Sequence, residues 1–124
     1  MTEDDLKAEI KLVAEELFKK GDGAVPALRH LQSSLSKIET NDKYLSFSGF
    51  FIQNFIDDVC FNLTGDFPSD DKINDIINVF FKQLGGILII FYERIIDNTN
   101  SVFDSLVDMV NCYLNVLAEI ENEF

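Results

Sequence analysis

Apolar residues recur every three or four positions along most of this chain, dividing it into five amphipathic stretches joined by short polar or glycine-bearing segments. The first has Leu6, Ile10, Val13, Ala14, Leu17 and Phe18 on one face. Thr2 stands in the N-cap position with Asp5 three residues on, and Lys19, Lys20 and Gly21 form a C-terminal stop. Glu3–Lys7, Glu15–Lys19 and Glu16–Lys20 are i, i+4 pairs in the favourable order. After a Gly21-Asp22-Gly23 turn, Pro26 fits the first turn of a second helix, with a narrow seam of Leu28, Leu31, Leu35 and Ile38. Thr40-Asn41-Asp42 ends that helix, and Ser46 or Ser48 caps a third that runs to about Thr64 and stops at Gly65. Its band of Phe47, Phe50, Phe51, Phe55, Ile56, Val59, Cys60 and Leu63 reads as core, with Asp57-Asp58 on the solvated side. Phe67-Pro68 separates it from the fourth stretch, for which Ser69 and Asp70-Asp71 are a start signal.

The fourth stretch organises the rest. Ile73, Ile76, Ile77, Phe80, Phe81 and Leu84 lie on one helical face, and Ile87, Leu88, Phe91 and Ile95 continue it beyond Gly85-Gly86. Ile89 and Ile90 fall on the opposite side, which predicts a segment buried all round. Residues 87–92 are also rich in strand formers, but no other segment offers a partner strand. Two glycines cost a helix interior about 2 kcal/mol relative to alanine, so they should mark a bend or turn, or a close helix–helix approach. An unbroken helix over 70–97 would be about 42 Å long, and that length favours a bend at Gly85-Gly86. The alternative break is Asp97-Asn98-Thr99-Asn100-Ser101.

The last stretch has two apolar rows: Val102, Leu106, Met109, Tyr113, Val116 and Ile120, beside Phe103, Val107, Val110, Leu114 and Leu117. Opposite them runs a polar stripe of Asp97, Ser101, Asp104, Asp108, Asn111, Asn115, Glu119 and Asn122, all within about 40° of one line at 100° per residue. No Lys or Arg follows Arg94.

Composition narrows the function classes. With 124 residues, 47% of them hydrophobic, the chain suits one all-α domain, a compact bundle of about five helices. A net charge of −12 disfavours nucleic acid and anionic membranes and favours a basic partner, or simply solubility. Met1-Thr2-Glu3-Asp4-Asp5 is acidic where a signal peptide is basic, and charges interrupt every apolar run short of a membrane span, so a cytoplasmic location is expected. Cys60 and Cys112 read as small buried hydrophobes, and His30, off its helix's seam, as a surface residue.

No catalytic or cofactor motif emerges. The glycine pair lacks phosphate-loop surroundings, no Glu-x-x-His pair is present, and Asp104/Asp108 have no further metal ligands beside them. Glu93-Arg94 reads as a helix-surface pair. The expectation is a non-enzymatic acidic module, without cofactor or metal, that docks a basic protein through Asp97, Asp104, Asp108, Asn111, Asn115 and Glu119. Bacterial immunity and antitoxin proteins act in this manner by charge steering and occlusion, a likeness of class and not of motif. The alternatives are a structural homodimer that buries the surplus apolar surface of the last helix, or a bundle holding an apolar ligand in its Phe-rich core.

Overall fold

The computed structural model describes residues 2–21, 23–63 and 71–123. The described residues form five helices: α1 (Glu3–Lys20), α2 (Ala24–Ser36), α3 (Lys43–Leu63), α4 (Asp71–Asp97) and α5 (Val102–Glu121). The all-α expectation holds, and residues 87–92 are helical, which removes the strand alternative. The Asp22 position of the first turn and the Thr64-Gly65, Phe67-Pro68 and Ser69-Asp70 signals lie outside the described residues.

Local chemistry sets the helix ends. The Thr2 hydroxyl accepts from the Asp5 N–H at 3.1 Å while the Thr2 N–H donates back to the Asp5 carboxylate at 3.2 Å. Hydrogen bonding to the Asp5 carboxyl from Thr2, by its backbone first and its side chain second, holds that carboxyl below its ordinary range. Gly21 ends α1 at φ 69°, where a side chain would be strained, and an added Cβ would stand 2.9 Å from the Asn78 carbonyl of α4. The cap of α3 is neither Ser46 nor Ser48. Asp42 accepts from the N–H groups of Tyr44 and Leu45, at 2.9 and 3.2 Å, because the helix starts a turn earlier than the serines allow.

Between α4 and α5, Asn98 adopts φ 53°; its N–H donates to the Ile95 carbonyl and that of Thr99 to the Arg94 carbonyl. This paired closure ends α4 at the polar segment and not at the glycines.

The helices form a closed ring in the order α1, α4, α5, α3, α2. Residue pairings give the directions. Lys11 lies over the Tyr92 ring while Gly21 meets Asn78, so α1 and α4 are antiparallel. Lys72–Glu123 and Arg94–Ser105 make α4 and α5 antiparallel. Tyr44–Phe103 and Phe55–Tyr113 make α3 and α5 parallel. The core inside includes Phe80 and Phe91 with Leu6, Ile10, Ile52 and Met109.

Gly85-Gly86 serves close approach. A Cβ on Gly85 would stand 2.4 Å from the Phe18 nitrogen and 2.7 Å from the Ala14 carbonyl oxygen, so α1 and α4 touch backbone to backbone. The helix is uninterrupted there, which rules out a turn at the pair. By length and composition alone α4 could cross a membrane, contrary to the estimate from its interrupting charges. A helix flanked by two amphipathic neighbours, as α4 is by α1 and α5, passes the same measure.

Several burial expectations fail for want of a covering neighbour. The segment around Ile89 is not buried all round, since Ile90 remains 44% exposed on the outer side of α4. On α3 the buried line is Leu45, Ser48, Gly49, Ile52, Phe55, Ile56, Val59, Cys60 and Leu63, leaving Phe47 and Phe50 exposed. The favourable i, i+4 pairs of α1 also do not close. The ion pairs among the described residues are Arg29–Asp57, joining α2 to α3, and Lys72–Glu123, joining α4 to the residue two past the end of α5, while His30 of α2 meets Glu9 of α1. Exposed pairs within one helix gain little against the entropy of ordering two long side chains. Glu3 instead takes a hydrogen bond from the Thr40 hydroxyl.

Ser48 is fully buried with no hydrogen-bond partner for its hydroxyl. Ser48→Ala removes that orphan group, and should stabilise the fold by about 1 kcal/mol and raise the Tm by about 4 °C. A lower Tm in thermal denaturation would refute this.

Candidate functional site

The orientation of α5 is fixed by its buried row Val102, Leu106, Met109, Tyr113, Val116 and Ile120. Polar contacts lock that rotation on two sides. Arg94 of α4 donates to the buried Ser105 hydroxyl at 2.8 Å, and the Cys112 thiol to the Gln83 side-chain carbonyl at 3.4 Å. Arg94 therefore braces α5 and does not pair with Glu93, which is exposed. On the α3 side, the Tyr113 hydroxyl donates to the Asp58 carbonyl at 3.2 Å and accepts from the Asn62 amide at 2.6 Å.

With that row inward, Asp104, Asp108, Asn111, Asn115 and Glu119 point outward and are exposed. Asp97 is exposed too, but it is the last residue of α4. The turn over residues 98–101 interrupts the helical phase that placed it on the stripe, so it is not carried on α5.

The second apolar row is not swallowed. Val107 is 57% and Leu114 55% exposed, while Phe103, Val110 and Leu117 are half-buried. The cause is the α3–α5 seam, which is far less extensive than that between α4 and α5 and leaves the outer sides of both helices uncovered. Phe47, Phe51, Phe103, Leu106, Val107 and Val110 line the resulting groove of about 480 Å³. An adjoining hollow that shares Phe47, Phe51 and Val110 with the groove continues it past Asp58 and Leu114. A second hollow of about 520 Å³ lies on the α4 side, among Gly86, Ile87, Ile90, Asp108 and Cys112. Asn111 borders both hollows. The carboxylates thus stand on a ridge with an apolar trench on each side. The sequence pattern identified the ridge and missed the trenches, although the Phe band of α3, wider than one neighbour can cover, was the signal for the α3–α5 groove.

Burial pushes the Cys112 thiol up, as it does that of Cys60 on α3. Burial likewise raises the Tyr113 phenol, against a smaller lowering by the Asn62 hydrogen bond. All three are therefore protonated at neutral pH. Among the described residues no three His, Cys, Asp or Glu side chains cluster as metal ligands. His30, as expected, lies at the surface. It meets Glu9 at 2.9 Å, and Ser34 donates to the same Glu9 oxygen at 2.7 Å, so the carboxylate braces α1 to α2 and does not activate the serine. Another hollow, of about 770 Å³, lies elsewhere, between the start of α1 and the α2–α3 connection. It is lined by Glu3, Glu39, Thr40, Asn41 and Gln53 among others, and has neither a histidine nor a cysteine.

Comparison with known protein families, characterised proteins and solved structures finds no match to this chain. The functional reading rests on geometry and charge.

Proposed function

We propose that this chain is a non-catalytic protein-binding module that docks a basic partner through the α5 ridge. The observation that carries the reading is the exposure of Asp104, Asp108, Asn111, Asn115 and Glu119 along one helix face, in a segment without Lys or Arg after Arg94. A net charge of −12 adds a long-range field that steers a cationic partner to this surface and speeds encounter. Once seated, such a partner has its own basic site covered, which is how an inhibitor of the immunity or antitoxin kind works.

Oligolysine is a sufficient probe for the charge component. Amide shifts on its addition should map to α5 and vanish as salt shortens the Debye length. Asp104→Lys with Asp108→Lys should weaken binding at least about tenfold, since it reverses two charges within one interface. Glu16→Lys with Asp75→Lys changes net charge by the same amount at exposed sites on α1 and α4, and should leave most of the binding. If both double variants lose binding equally, only bulk charge is at work and the ridge has no role.

A further inference from the structure

Beside the ridge, the α3–α5 groove is almost wholly apolar, and its floor and walls are aromatic and aliphatic. Phe50, 69% exposed, extends the apolar surface along α3. Isolated exposed hydrophobic residues need no explanation, but a continuous groove of them marks a binding surface. From Phe103 to Leu114 the apolar row on α5 is about 16 Å long at 1.5 Å per residue. That length matches three turns of a docked helix. The charged groups around it are mostly of one sign: Asp58 on the α3 wall, with Asp104 and Asp108 along the α5 crest, against Lys43 at the far end beside Tyr44.

We infer that the groove between α3 and α5 receives the apolar face of a cationic amphipathic helix, whose basic flank lies against Asp104 and Asp108. This rests on the proposed docking of a basic partner and specifies the partner's form. Charge complementarity selects the occupant. A second copy of this chain would bring another −12 protein to the same acidic crest, whereas a helix with leucine-like residues on one side and lysines on the other satisfies groove and ridge together. The groove supplies the part of the binding that salt does not screen, and the ridge supplies orientation.

The test compares two probes of equal charge, an oligolysine and a Leu/Lys helix with leucines at i, i+3, i+4 and i+7. The amphipathic probe should bind at least about tenfold tighter, because burial of its leucines adds to the charge attraction. It should persist near 1 M salt, where the Debye length is about 3 Å, and shift the amides of Phe47, Phe103, Val107 and Leu114. Val107→Ser with Leu114→Ser alters two exposed side chains, so the fold should be retained. This variant should erase the advantage of the amphipathic probe and leave oligolysine unaffected. Equal affinity for the two probes, or an undiminished advantage in the groove variant, overturns the inference while leaving the charge reading intact. Failure of oligolysine to engage α5 overturns the charge reading itself. Sedimentation at twice the 14.1 kDa chain mass that reverts in the groove variant would give the groove to a second copy and also overturn the inference.

Discussion

Gly85→Ala should destabilise the protein by about 3 kcal/mol or more, the upper part of the range for overpacking. The added methyl would meet the Phe18 nitrogen at 2.4 Å, the Ala14 carbonyl oxygen at 2.7 Å and the Leu17 Cβ at 2.9 Å. Two of these are backbone atoms inside α1, which no rotamer change can move, so the whole helix must shift. Alanine's better helix propensity returns only about 1 kcal/mol. A loss of this size corresponds to a Tm lower by roughly 10 °C or more. Gly86→Ala is the built-in control. Its methyl would meet only the Phe18 ring, at 3.7 and 3.9 Å, which is ordinary contact. The propensity gain then dominates, and Gly86→Ala should stabilise by up to about 1 kcal/mol. Equal effects at the two positions in denaturant unfolding would refute the close packing of α1 on α4.

Phe91→Ala should cost about 3–5 kcal/mol, the range for a fully buried aromatic truncated to alanine. Phe91 has no exposed surface, and its removal leaves a void at the centre of the ring of helices. Phe50→Ser should change stability by less than about 0.5 kcal/mol, as for surface positions generally, because most of that ring already faces water. Chemical denaturation of the two variants separates the phenylalanines that hold the fold from those available to a partner. A large loss for Phe50→Ser would mean that the α3 band is core after all, and the groove would close with it.

Where a feature depended on neighbours in sequence, the pattern was often enough, though it misplaced the α3 cap, which is Asp42, and offered α1 ion pairs that do not close. The Thr2–Asp5 reciprocal cap and the Gly21 stop require nothing beyond their own turns, and both were readable. The outward direction of Asp104, Asp108, Asn111, Asn115 and Glu119 followed from the helical period. Where a feature depended on what lies across the bundle, the pattern failed. The glycine pair admitted a turn or a close contact, and only Ala14, Leu17 and Phe18 arriving from α1 make it a contact within an uninterrupted helix. Hydrophobic period shows which face of α3 is apolar but not how far a neighbour covers it, so Phe47 and Phe50 were misassigned to the core. His30 gained Glu9, a partner on another helix that spacing does not reveal. Asp97 was assigned to the stripe by assuming one continuous phase through a segment that in fact turns.

The close pairing of α1 with α4 also bears on how fast the chain reaches its native state. The atoms around Gly85 and Phe18 belong to residues about 67 positions apart, so the tightest joint in the molecule is among the most distant in sequence. Contacts of that separation raise contact order and slow folding relative to a bundle whose successive helices simply stack. During synthesis, the buried side of α1 has its principal mate only when the fourth helix has emerged, and until then Leu6, Ile10 and Leu17 lack the cover that α4 gives them.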